Sequence, residues 1–135
     1  MFQPRAFHQL YVHLIWCVKN RDPLLDIKWR IKLFQHIKTN AEIDHEIHVD
    51  FINGVEDHVH CIIFFRPTQS VSNCAKALKG LSSRCINTSD FFEGKFSWQT
   101  GYGAFTFSKS ELRKVREYIK NQEAHHRSNS LNDEL

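Results

Sequence analysis

At 135 residues the chain has room for one domain with a full hydrophobic core, and not for two. Hydrophobic residues make up 41% and charged residues 24%, which excludes a disordered chain, and no apolar run approaches the length of a membrane-crossing helix. The net charge of +3 permits binding to nucleic acid without requiring it, there being no strongly basic tail.

From His8 to Val18 the residues alternate, with Leu10, Val12, Leu14, Trp16 and Val18 on one face and Tyr11, His13, Ile15 and Cys17 on the other. Sizeable side chains on both faces predict a long central strand, ended by the polar turn Lys19–Pro23. Asp26 can cap a helix of about four turns, with Ile27, Ile31, Phe34, Ile37 and Ala41 inward and Lys28, Arg30, Lys32 and Lys38 solvated. Ile47, Val49 and Phe51 then alternate up to Asn53-Gly54, read as the turn of a hairpin. The second arm is Asp57-His58-Val59-His60-Cys61-Ile62-Ile63-Phe64-Phe65, a buried strand.

A second helix begins near Ser70 or Ser72, burying Val71, Cys74, Leu78, Leu81 and Cys85, with Gly80 weakening it locally. Phe91, Phe92, Phe96, Trp98, Tyr102, Phe105 and Phe107 read as aromatic strand material broken by Gly101 and Gly103. Ser108-Lys109-Ser110-Glu111 fits a capping box opening a last helix through Leu112, Val115, Tyr118, Ile119 and Gln122 to His125 and His126. This order predicts an α+β fold of ferredoxin-like type, an antiparallel sheet with helices packed on one face, plus a C-terminal helix. One domain, residues 1–127, precedes a polar tail, residues 128–135. The cysteines at 17, 61, 74 and 85 lack any Cys-x-x-Cys spacing and read as reduced thiols, and the N-terminus has no signal pattern. The expected compartment is the cytoplasm.

On a strand, His58 and His60 project to the same side, a preformed two-point metal site. Tyr118 and Gln122, four apart, share a helical face. Two neutral imidazoles and an amide oxygen leave a divalent ion such as Mg²⁺ or Mn²⁺ its full charge and positions open to phosphate oxygens. A tyrosine beside such an ion is a competent nucleophile. Each piece alone has a plainer reading: a chance His-x-His, a core tyrosine, a solvated glutamine.

Taken together the motifs resemble the small single-tyrosine HUH transposases of bacterial insertion sequences, "HUH" meaning His, a hydrophobic residue, His. The resemblance rests on Tyr11–Trp16 with Lys19–Leu25, on Gly54-Val55-Glu56-Asp57-His58-Val59-His60, on Lys79–Arg84, on Trp98–Phe105 and on Tyr118-Ile119-Lys120-Asn121-Gln122 through Arg127. It implies that Tyr118 cleaves single-stranded DNA, leaving a 5′-phosphotyrosine and a free 3′-hydroxyl. It implies that His58, His60 and Gln122 hold the divalent ion, with no nucleotide cofactor. It further implies a homodimer that recognises DNA hairpins at an element's ends.

Other residues read two ways. Lys76, Lys79 and Arg84 are either phosphate contacts or a solvated helical face. Trp98 and the phenylalanines either stack bases or fill the core. Tyr102 reads as a packing or turn residue. His125 and His126 either help the site or are solvated, and His8, His13, His36, His45 and His48 show no constellation. The alternatives are a hairpin-binding regulator that does not cut and a small-molecule metalloenzyme.

Overall fold

The computed structural model describes residues 7–122. Strands β1 (Leu10–Cys17), β2 (His48–Gly54), β3 (His58–Phe65) and β4 (Gly103–Phe107) form one sheet in the order β2-β3-β1-β4. Every neighbouring pair is antiparallel. Helix α1 (Ile27–His45) connects β1 to β2, and α2 (Val71–Thr88) connects β3 to β4. This is the ferredoxin-like α+β arrangement that the order of elements predicted. A last helix, α3 (Leu112–Lys120), follows a 3₁₀ turn at Lys109–Glu111.

The sheet separates two apolar clusters. On one face Val12, Leu14 and Trp16 of β1 and Val59, Cys61 and Ile63 of β3 pack with Leu33, Phe34 and Ile37 of α1 and Cys74 and Leu78 of α2. On the other, Tyr11 and Ile62 pack with Leu112 and Ile119 of α3, joined by Phe51, Phe64, Phe107, Val115 and Tyr118. So α1 and α2 cover one face and α3 lies on the opposite one. The alternation along β1 sorts its side chains between these clusters, as expected for a central strand.

Several local expectations are corrected. In α1 the buried stripe is Trp29, Arg30, Leu33, Phe34, Ile37 and Ala41, while Ile27 and Ile31 are exposed. Arg30 turns inward because its guanidinium donates to the Leu25 carbonyl at 3.0 Å. The helix also runs 19 residues, a turn beyond expectation. In β2 the register shifts between Val49 and Phe51, a bulge that turns Val49 to the main core and Phe51 to the α3 side.

Asn53 and Gly54 are not the hairpin turn: they pair with His60 and Val59, and the chain turns at residues 55–57. The stretch 89–102 is irregular apart from one bridge between Trp98 and Val18, so only Gly103–Phe107 is a strand. The capping box does not form either. Ser108 Oγ lies 2.8 Å from Ser110 Oγ, and the first turn is closed by Glu111 N–H donating to the Ser108 carbonyl.

Gly54 carries a structural requirement. A Cβ there would stand 2.4 Å from the His58 carbonyl oxygen and 3.2 Å from the Phe34 ring. Only glycine lets the two strands approach this closely at the turn that leads into His58.

Candidate active site

The apolar residues of β3 fix the strand between β1 and β2, and the pleat then turns His58 and His60 to the α3 side. Both are fully buried, with ring centroids 5.0 Å apart. Asp57, immediately before the strand, places Oδ1 2.8 Å from His58 Nδ1. Arg21, from the turn after β1, reaches Asp57 Oδ2 at 3.4 Å. A carboxylate acceptor assigns the His58 proton to Nδ1 and leaves Nε2 with its lone pair, the form a metal ligand would need.

His60 is held by a residue the sequence reading set aside. His13 of β1 places Nε2 2.8 Å from His60 Nδ1, with centroids 5.0 Å apart. His13 thus belongs to the constellation after all. The signal was parity: on an antiparallel neighbour, His13 falls on the same face as Ile15, the partner of His60. Burial lowers the His60 pKa to about 2 and the His13 pKa to about 4, with His13 and His58 adding to the effect at His60. Both rings are neutral at ordinary pH, the state a metal ligand needs.

On α3, Tyr118 sets its ring edge-on to His60, centroids 6.0 Å apart at 81°. The continuous helix runs to Lys120, Asn121 is a turn residue whose N–H still reaches the Glu117 carbonyl at 3.0 Å, and Gln122 is again helical, as expected from its spacing to Tyr118. Two side chains of β2 fasten the helix. Asn53, the strand partner of His60, donates to the carbonyls of Ile119 at 3.0 Å and Lys120 at 3.4 Å. Asp50, the residue of the bulge, accepts from Arg116 Nε at 2.8 Å and also from its Nη2.

Gln122 is wholly buried, and neither its amide oxygen nor its amide nitrogen has a hydrogen-bond partner among the described residues. His60 Nε2 is buried in the same condition. Leaving such atoms unmatched costs about 1–3 kcal/mol each, so the chemistry of the donor set fits a group that binds there. Among the described residues no three His, Cys, Asp or Glu side chains gather as metal ligands. The set expected from the sequence, His58, His60 and Gln122, would take an amide as its third donor.

The sequence matches the family described as "Transposase IS200 like" over residues 6–122. This chain belongs to the IS200-like transposase family. It is 29% identical over 122 residues to the ISDra2 transposase TnpA of Deinococcus radiodurans, covering 85% of each chain. A crystal structure from Deinococcus radiodurans R1 superposes with a TM-score of 0.66 at 23% identity, covering 90% of this chain and 98% of that one. A REP-associated tyrosine transposase solved bound to a REP hairpin superposes with a TM-score of 0.64 at 15% identity, covering 93% and 74%. These two likenesses concern the fold.

In this IS200-like transposase the remaining candidate residues are distributed as follows. Lys79 donates to the carbonyls of Gln99 at 2.7 Å and Gly101 at 2.9 Å, and burial pulls its pKa below the ordinary lysine value. Lys76 and Arg84 are exposed and flank Gly80 along a groove between α1 and α2, on the layer away from the histidines. Trp98 donates its indole N–H to Ser82 Oγ at 2.9 Å and packs on Trp16 and Phe96, so it belongs to the core. Tyr102 is 43% exposed and lines a cavity of about 320 Å³ with Ile15, Cys17 and Phe105. His125, His126 and the tail lie outside the described residues. No described helix is long and apolar enough to cross a membrane.

Proposed function

We propose that this transposase is a metal-dependent endonuclease and strand transferase for single-stranded DNA. Tyr118 is its nucleophile, and His58, His60 and Gln122 hold a divalent ion, Mg²⁺ or Mn²⁺. The observation that carries this reading is that the buried Gln122 amide and His60 Nε2 both lack a hydrogen-bond partner among the described residues, while Tyr118 meets the His60 ring edge-on.

Tyr118 Oη attacks the scissile phosphorus and the bond to the 3′-oxygen breaks. The phenolic proton is released as the new bond forms, and the departing 3′-oxygen takes up a proton. One strand then ends in a 5′-phosphotyrosine and the other in a 3′-hydroxyl. The phosphodiester is exchanged rather than hydrolysed, so a second 3′-hydroxyl can reverse the step on new DNA without a nucleotide cofactor. The ion, when bound, polarises the phosphate and offsets the charge that develops there. Asp57 and Arg21 hold the His58 ring, and Asn53 and Asp50 hold the helix that presents Tyr118.

DNA hairpins are the proposed ligand class, supported by the hairpin-bound structural neighbour. Lys76, Lys79 and Arg84 are proposed phosphate contacts, with Lys76 and Arg84 the more available. A homodimer is proposed as well. Its support is β4, which among the described residues is a sheet edge paired with β1 alone, and on which Phe105 is 44% exposed. The reaction belongs with the cell's DNA, in the cytoplasm.

The test is incubation with Mg²⁺ and a labelled single-stranded library containing hairpins, followed by a denaturing gel. A covalent adduct should form, and Tyr118→Phe should retain hairpins while losing the adduct. His58→Ala and His60→Ala should lose metal-dependent cleavage with the nucleophile intact. If Tyr118→Phe still cleaves, the mechanism is wrong; hairpin retention without any adduct would indicate a binding module that does not cut.

A further inference from the structure

We infer that His13 is a positioning residue for the metal site: by accepting the Nδ1–H of His60 on its own Nε2, it fixes the His60 tautomer that presents Nε2 as a ligand. The inference rests on the metal site proposed above.

Two ring nitrogens 2.8 Å apart in a buried contact share one proton, and neutral rings allow two arrangements. In one, His60 Nδ1 donates to His13 Nε2, and the lone pair of His60 Nε2 faces the site. In the other, His13 Nε2 donates, and the proton of neutral His60 moves to Nε2, where it blocks coordination. That position offers the proton no acceptor among the described residues. Coordination at His60 Nε2 would require the first arrangement, in which His13 carries its proton on Nδ1. A His13 side chain fixed by β1 and flanked by Phe105, centroids 6.3 Å apart, has little freedom to turn away.

The two ligating histidines are thereby oriented by different partners, His58 by the Asp57 carboxylate and His60 by a neutral ring. A neutral partner adds no charge beside the ion. Its role is geometric, and it should be replaceable by another neutral acceptor of similar reach.

The experiment compares Mn²⁺ affinity by titration calorimetry in the wild-type protein, His13→Phe and His13→Gln. In parallel, long-range ¹H–¹⁵N spectra of the Mg²⁺-saturated wild type report the histidine tautomers. His13→Phe is expected to weaken Mn²⁺ binding about 10–100-fold. His13→Gln, whose amide oxygen can accept from His60, is expected to recover most of it. The spectra should show His60 protonated on Nδ1. Should His13→Phe fail to fold, the wild-type tautomers decide: a His60 proton on Nε2 in the Mg²⁺ form overturns the inference. Equal Mn²⁺ affinity in wild type and His13→Phe overturns it too, leaving the metal site standing. A wild-type protein that binds no Mn²⁺ removes the metal reading and this inference together.

Discussion

The side-chain amide of Asn53 donates to the carbonyl oxygen of Ile119 at 3.0 Å, and Asn53 is also the strand partner of His60. One residue therefore ties the end of the helix that carries Tyr118 to the strand that carries the histidines. Asn53→Ala removes the donor to the Ile119 and Lys120 carbonyls and so the link between β2 and the end of the described helix. We expect a loss of about 1 kcal/mol in stability. The larger effect should be on cleavage, since a small misplacement of a nucleophile can lower its rate about 100-fold. Denaturant melts and single-turnover cleavage measure the two effects separately; equal small losses in both would argue against a positioning role.

Gly54→Ala tests the close approach at the turn before β3. Its new Cβ would press on a backbone carbonyl, which cannot rotate away as a side chain can. We expect destabilisation of about 1–3 kcal/mol, as for an overpacked core, accompanied by weakened Mn²⁺ binding because His58 must shift. A melt indistinguishable from wild type would show that the turn yields more readily than its packing indicates.

Gln122→Leu should separate stability from function in an unusual direction. Without metal, it replaces a buried amide that has no hydrogen-bond partner among the described residues by an apolar group of similar size. The metal-free variant is expected to gain about 1–3 kcal/mol, the penalty of the unmatched amide. The wild type should gain stability with saturating Mg²⁺ or Mn²⁺, about 2.7 kcal/mol at a hundredfold excess over Kd, and lose it again with chelator. Gln122→Leu should show much less of that metal-dependent gain. Thermal melts with and without chelator decide the matter, and a destabilised metal-free variant would count against an orphaned amide.

The basic residues of α2 should behave unequally. Lys76→Ala and Arg84→Ala, both at exposed positions, are expected to leave the melting temperature unchanged. If they touch phosphates, each should reduce the slope of log affinity for single-stranded DNA against log salt by about one. Lys79→Met should instead lower the melting temperature, because it releases the Gln99 and Gly101 carbonyls. A variant series in which all three act alike would contradict this division.

What the sequence disclosed follows from what periodicity can report. Alternation along β1 was sufficient to assign both faces, because β1 is central and each face meets a different cluster. His58 and His60 were legible for the same reason. The bulge in β2 was not, since a bulge is defined by the partner strand and its composition shows nothing. In α1 the isoleucines drew the apolar stripe toward Ile27 and Ile31, and only the Leu25 carbonyl explains why Arg30 faces in. The aromatic stretch 91–102 read as a strand because its residues favour one, yet Phe91, Phe92, Phe96 and Trp98 pack into the main core from irregular chain, and Tyr102 is exposed. His13 escaped notice because its partner lies 47 residues away.

The sheet lies between two apolar clusters of unequal size, the smaller of which is made with α3. The nine residues Leu112–Lys120 are too few to be stable alone, so among the described residues their order rests on that small cluster, on Asp50 and on Asn53. We expect the helix to behave as a separate cooperative unit that opens while the main core stays closed. In native-state hydrogen exchange, amides of Val115–Ile119 should exchange well before those of β1 and β3. The helix that carries Tyr118, the proposed nucleophile, would thus open ahead of the strands that carry the histidines.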